Sequence, residues 1–489
     1  MRYLLVAFVF LTLPLCAQKN ALTLENVTYS NFIKDRRAFA LSNPATGDLV
    51  LVIPDKKTVG THLFDKDFNK LNELTAESLR IKFKDIIGYR VSKQHYTTLF
   101  ATENRQFFGV VDFDFETGET VSEQIDVEVK GESFLEAVSY NNRFFMLSVN
   151  DDFDGLILRE LNEDRTFTRM EIPFNAPGSF QDLLCLKNDP EQLGERRVSF
   201  LGNDYLPKIV EIDNTNPNSL ETTSEMNKLY TQDNQLIFTF DNFADFTLVY
   251  FLDLEDFSVS EKRFAKEKVS DVPFERSNSF LFEDKLFQLG VDNDKMAFTI
   301  TDFDSGENIK IYRATKERII NFKNSQLLQK NGTFQATDQV RVLDETSQFL
   351  RKITNGKPGI AVQKIDGKYQ VTLGGTQAIG GGGGGGMMMG GGTQIAGGSS
   401  GGISMSVVYN PTYVSYGSYT ATKSIYIHSL FNNEFEHIEG FYMPNVFDKI
   451  ETFEGSIKGS DAEEVFYHNN KVYFGYYFKK SETYNFVAF

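Results

Sequence analysis

One phrase recurs along this chain: an apolar strand, a turn opened by Asp or Asn, and a second strand that alternates with polar residues. The turn reads DKDFN at Asp65, DFETGE at Asp114, NEDRT at Asn162, DNTNP at Asp213, DLEDFS at Asp253, DFDSGE at Asp302, DETSQ at Asp344 and NNEF at Asn432. The first seven stand 49, 48, 51, 40, 49 and 42 residues apart. Longer stretches from Asn142, Asn234 and Asp284 repeat the whole phrase, from opening polar turn to closing polar strand. The strands are rich in Phe, Tyr, Val, Ile and Leu, and very little has a 3.6-residue period, so the chain reads as all-β. With 489 residues it can bury a sizeable core without covalent staples.

A period of roughly 40 to 50 residues with several strands per unit predicts a β-propeller, in which four-stranded blades surround an axis. The expected architecture is seven or eight blades in one domain, residues 18–489. DFETGE and DFDSGE resemble the D-x-x-T-G hairpin turn of many propeller families; the resemblance is to propeller repeats generally. Gly118 and Gly306 would supply the positive φ of that turn while the Asp caps it. A pair of β-sandwiches also spaces strands regularly, but does not explain why one phrase returns over most of the chain. The stretch from Lys471 opens a further blade without completing it, and a strand within residues 22–32 is expected to close it. A lipid-facing barrel ending at Phe489 is disfavoured because the strands and turns are too charged.

Between Asp344 and Asn432 the spacing jumps to 88 residues. The window 374–402 explains it, with 16 of the 37 glycines in 29 residues. It is read as a flexible insertion within one blade, between KYQVTL and ISMSVVY. Met387, Met388 and Met389 at its centre are candidate partner-binding residues. Soft-metal binding by their thioethers lacks a nearby His or Cys. The glycines form no phosphate cradle, since no GxxxxGK[ST] occurs and no helix is expected after them.

The first 17 residues, with Arg2, an apolar run to Leu13, Pro14 and the small exit at Ala17, have the layout of a secretory signal peptide. Cleavage there leaves Cys185 as the only cysteine and a net charge of -17 - 1 = -18. Leu13 three residues before Cys16 matches a lipobox, so a lipid anchor at Cys16 is the competing reading; Leu15 departs from it. No later stretch is apolar enough for a transmembrane helix. The protein is thus expected in the periplasm, on the outer-membrane surface or outside the cell. An excess of 67 acidic over 50 basic residues argues against nucleic acid.

Motifs for chemistry are sparse. His62, His95, His428, His437 and His468 lie in no GxSxG or HExxH setting, and Cys185 sits between apolar neighbours as an inert thiol would. Paired carboxylates for glycoside hydrolysis are not visible in a linear sequence. No cofactor is expected, apart from calcium at one place. In NDDFDG, Asn150, Asp152 and Asp154 occupy positions 1, 3 and 5 of a calcium loop, with Gly155 allowing a sharp turn. This resembles the D-x-D-x-D-G loops of some propellers, with Asn, Leu158 and Leu161 as departures; an acidic turn held by Asx bonds is the alternative. The sequence therefore points to an exported, non-catalytic binding or scaffolding module of a bacterial envelope, with a protein, peptide or glycan partner. The alternative is a hydrolase or lyase acting on an extracellular polymer from the axial cleft. If the loop holds calcium, the ion raises the melting temperature of the protein and not that of Asp152→Ala; equal melting with and without the ion removes the site.

Overall fold

A computed structural model describes residues 19–30, 36–80, 82–150, 153–184, 208–269, 272–330, 340–376, 410–421 and 424–489. The leader, Cys16, Asp152, Cys185, ISMSVVY and Met387 to Met389 lie outside the described residues. Among the described residues there are seven sheets of four or five strands and one two-stranded ribbon. Numbered along the chain, they cover residues 39–77, 85–125, 132–173, 210–265, 276–315, 327–431 and 460–488. The protein is a β-propeller.

Each sheet is antiparallel apart from a short parallel strand, Val210–Glu211, added to sheet 4. Burial grades across a sheet: in sheet 1 the strand Asp48–Pro54 is almost wholly buried while Lys70–Glu77 is mostly exposed. Sheets 3 and 4 grade the same way, ending on the exposed strands Phe167–Pro173 and Val259–Ala265. First strands therefore lie toward the axis and last strands at the rim. Sheets 1 to 4 and sheet 7 bury apolar residues on both faces, so each face must be covered by a neighbour. One cluster joins sheets 1 and 2 through Phe39, Val52, Phe100 and Phe113. Others join sheets 2 and 3, 3 and 4, and 4 to 6. Sheet 7 packs on sheet 1 through Leu49, Phe64, Tyr473 and Phe486. The strand Lys19–Leu24 pairs with Thr483–Ala488 and completes sheet 7, so the two ends of the chain share one sheet. Its position overlaps the expected closing segment at residues 22–24.

The turns behave as their chemistry requires. Asp114 Oδ1 accepts from the amides of Glu116 and Thr117, and Asp302 Oδ1 from the amide and hydroxyl of Ser305. Gly118 and Gly306 have φ of 79° and 76°. Two of the eight turns are misplaced by the sequence reading. Asp213 leads into helix α2 and Asp344 into helix α3, not into hairpins. The five described helices are α1 (Phe180–Leu184), α2 (Leu220–Thr223), α3 (Thr346–Thr354), α4 (Pro411–Ala421) and α5 (Val446–Ser456).

The insertion also differs from expectation. Gly374, Gly375 and Thr376 are strand residues paired with Tyr426, Ile425 and Ser424. The strand after the tract is Ser424–Phe431, and α4 precedes it, so a helix does come after the glycines. α4 carries no apolar stripe. It is held by hydroxyls: Thr412 donates to Asp213 Oδ2 (2.8 Å), and Ser418 lies 2.9 Å from Ser219 and 2.7 Å from Thr222. Tyr416 and α5 pack against sheet 7 through Phe447, Ile450 and Phe474.

Candidate functional site

Adjacent sheets diverge like the sides of a wedge, and what fills each wedge decides whether a ligand can enter. Between sheets 4 and 5 the filling is a charged knot. Lys228, fully buried, donates to Asp241 Oδ2 (3.0 Å) and Asn278 Oδ1 (2.6 Å). Asp241 also accepts from Thr247 and Ser279, and Lys266 donates to the carbonyls of Asp241 and Phe243. The cavity left beside Lys266 and Gln288 is about 10 Å³, room for one water.

The wedge between sheets 2 and 3 is open. A cavity of about 220 Å³ lies there, walled by Phe108, Val129, Phe134 and Met146 and rimmed by Asn104, Arg105, Gln106, Glu132, Ser133 and Ser148. Its base is the core of Leu99, Val110, Ala137 and Phe144. Sheet 3 is shaped for this by a bulge at Leu135. The extra residue breaks the alternation, so Phe134 and Ala137, three apart, both face sheet 2 while Leu135 and Val138 face sheet 4.

One wall is a buried ion pair. Arg159 Nη1 donates to Glu132 Oε2 (2.6 Å) and to Ser148 (3.2 Å), and its Nη2 to Glu132 Oε1 (2.7 Å). Ser148 donates to Glu132 Oε2. Burial works against the Glu132 charge, but the bonds from Arg159 and Ser148 outweigh it and hold the carboxyl below its usual range. Both carboxylate oxygens are thereby occupied. The opposite wall is the turn 102–107, which joins the strands His95–Ala101 and Phe108–Asp114. Arg105 sits there with φ 56°, a left-handed conformation that costs a long side chain about 1 kcal/mol. Its Nη1 donates to Asp85 Oδ2 (2.6 Å) and to the Thr102 carbonyl (2.9 Å), and its guanidinium lies over Phe134 at 5.7 Å.

Beside this wedge, Glu136 points to the side of sheet 4, where Glu211 stands on its added strand. Burial pushes Glu136 up to about 7, against the opposing amide of Ala137 and charge of Arg105. Glu211 is raised well above the usual range by burial, reinforced by Glu136 and Asp213. Two such carboxyls cannot both carry charge cheaply at neutral pH.

The histidines are scattered. His62 faces Glu73 and His95 faces Asp112; His428 stacks under Tyr442 at 3.8 Å, and His437 bonds Asn324. His468 Nδ1 lies 2.8 Å from the Ser42 hydroxyl, the one contact between a His ring and a Ser hydroxyl among the described residues. Asn469 Nδ2 meets the other ring nitrogen at 2.9 Å. With that amide donating to Nε2, the ring proton sits on Nδ1 and faces Ser42, the reverse of what a general base needs.

Of the calcium candidates, Asp154 Oδ1 accepts from the amide of Phe180 at the start of α1 (2.6 Å), and the buried Asn150 Oδ1 has no hydrogen-bond partner among the described residues. Gly155 is extended strand paired with Pro173, not a sharp turn. It is needed because a Cβ would stand 2.2 Å from the Ile172 carbonyl. Among the described residues no cluster of three His, Cys, Asp or Glu side chains could hold a metal. The wedge residues were missed by sequence reasoning, since they come from separate strands and turns spread between residues 85 and 159; the sole local hint is a polar turn, TENRQF.

No protein-family model and no curated protein matches the chain. Solved structures do resemble it in part. An apocarotenoid oxygenase of Synechocystis is 10% identical over 57% of this chain and 61% of that one, with a TM-score of 0.28. Prolyl oligopeptidase B of Galerina marginata is 10% identical over 69% and 38%, with a TM-score of 0.30. A quinonprotein alcohol dehydrogenase-like protein of Bacteroides thetaiotaomicron is 10% identical over 58% and 68%, with a TM-score of 0.22. The chain thus spans less than two thirds of the first two. These superpositions are too loose to bring any residue of those proteins onto this one.

Glu136 predicts a pH dependence of stability. Between 4.5 and about 7 the folded protein holds a proton that the unfolded chain releases, so stability falls as pH rises through that window and levels off above it. Relative to Glu136→Gln, the loss reaches up to about 3 kcal/mol in urea unfolding across pH 4.5 to 7.5. A difference between the two proteins that does not change with pH contradicts the assignment.

Proposed function

We propose that this protein is an exported, non-catalytic binding or scaffolding module of a bacterial cell envelope, and that its ligand enters the wedge between sheets 2 and 3. The leader sequence supports export. The reading of the wedge rests on one contrast: where sheets 4 and 5 meet, buried polar groups fill the space to about 10 Å³, whereas between sheets 2 and 3 about 220 Å³ stays open above an apolar floor. Drug-sized sites run about 300 to 1,000 Å³, so this one takes a fragment or the end of a longer chain, of a peptide, protein or glycan. Ser148 is no nucleophile, because its proton is committed to Glu132 and no histidine stands beside it.

A second reading, a hydrolase or lyase acting on an extracellular polymer from the axial channel, is favoured by the pair of raised carboxyls, Glu136 and Glu211. In its favour, Glu136 is half-protonated near neutral pH, as a general acid must be.

The two readings separate in one experiment. Short peptides and oligosaccharides are screened by the methyl NMR signal of Met146, against the protein and against Ser133→Trp, which fills the cavity from its rim. Binding that shifts Met146, is lost in Ser133→Trp and leaves the ligand chemically unchanged supports the module. Ligands that are cleaved, with turnover abolished by Glu136→Gln and untouched by Ser133→Trp, support the enzyme instead.

A further inference from the structure

The polar groups around the wedge cavity are unevenly used. The one carboxylate is taken, since both oxygens of Glu132 are filled by Arg159 and Ser148. The donors are not. Arg105 spends Nη1 on Asp85 and the Thr102 carbonyl, and its Nε and Nη2 meet no acceptor among the described residues. That side chain is 10% exposed, and neither nitrogen is among the fully buried atoms without a partner, so both can be reached from solvent and by a ligand. A guanidinium carries five N–H groups in one plane; here Nη1 is anchored to the protein, which leaves Nε and Nη2 for a ligand at the cavity that Arg105 lines. Asn104 on the same turn has its Oδ1 occupied by Gln106 N and the Thr102 hydroxyl, which leaves its amide nitrogen as a further donor.

The backbone points the same way. Gly or Asn would take the left-handed turn position at lower cost than Arg, so the strain accompanies placement of the guanidinium at the cavity rim. Phe134 below it and Met146 and Phe108 on the walls offer only apolar contact.

We propose that the wedge cavity binds a free carboxylate carried on a small apolar group, such as the C-terminal end of a peptide, with the carboxylate on the Nε/Nη2 edge of Arg105 and the apolar group against Phe134, Phe108 and Met146. This rests on the wedge being the ligand site. Arg–carboxylate pairing through two parallel N–H bonds is both strong and directional, and a partly desolvated site strengthens it. The protein's charge of -17 opposes an anion at long range, but salt screens that field beyond about 8 Å, so the local guanidinium decides the affinity.

The test uses phenylpropanoate and its uncharged isostere phenylpropanamide, each titrated into the whole protein while the Met146 methyl signal is monitored. The acid binds at least about tenfold tighter than the amide. In Arg105→Lys, which keeps a cation for the buried Asp85, the acid's advantage disappears while the amide binds as before. The double variant Arg105→Gln/Asp85→Asn, which leaves no unpaired charge, gives the same result, so a folding defect in either variant alone does not decide the matter. Equal binding of acid and amide to the unaltered protein, with Met146 shifted by both, overturns the carboxylate assignment while the cavity stands as a site. No shift of Met146 by either probe at millimolar concentration overturns both.

Discussion

Sheets 1 to 4 and sheet 7 of this protein each bury apolar residues on both faces, and that constraint organises the rest. Sheet 2 meets sheet 1 through Phe100 and Phe113 and sheet 3 through Leu99 and Val110; sheet 3 meets sheet 4 through Leu147 and Leu158. A row of such sheets has no stable end, because a terminal sheet would expose a face of Val, Leu and Phe to water at about 25 cal/mol per Å². A ring removes the ends. Closure falls to Lys19–Leu24 beside Thr483–Ala488, which makes the pairing with the longest sequence separation in the chain also the one that shelters both neighbouring faces.

Within that ring, the proposed ligand site is a matter of which wedge is left unfilled. The Lys228–Asp241–Lys266 knot and the Arg159–Glu132–Ser148 wall are built from the same kinds of residue, yet the first closes its wedge and the second leaves space. The difference comes from Arg105, drawn to the rim by Asp85, and from the bulge at Leu135 that turns Phe134 toward the cavity. Buried ion pairs of this kind add little net stability. Their effect here is to fix where guanidinium donors and apolar walls stand.

The sequence shows the parts of this fold whose physics is local. An Asp that caps its own turn and a glycine with positive φ four residues later can be read from DFETGE and DFDSGE alone, and the structure places both as expected. The same locality misleads at Asp213. Its side chain caps an Asx turn through Thr215 as a hairpin Asp would, but the chain then enters α2. Asx capping fixes the turn itself and is blind to whether a strand or a helix comes after it. Helix α4 escaped notice because it is held by hydroxyl contacts and by Tyr413 and Tyr416, with no apolar period to see, whereas α5 carries a capping box at Asn445 and Asp448 that could have been found. The wedge site was illegible for a further reason: Asp85, Arg105, Glu132 and Arg159 become neighbours only when sheets 2 and 3 meet.

The central claim is that ring closure supports all the sheets at once, including those that wall the proposed site. It is tested most directly by native-state hydrogen exchange on the protein lacking residues 19–24, read at the strand Gln235–Phe240 of sheet 4, well separated along the chain from the closing pair. The account predicts that protection there falls together with that of Lys471–Phe478. Protection in Gln235–Phe240 that stays at its original level while sheet 7 alone exchanges would contradict it.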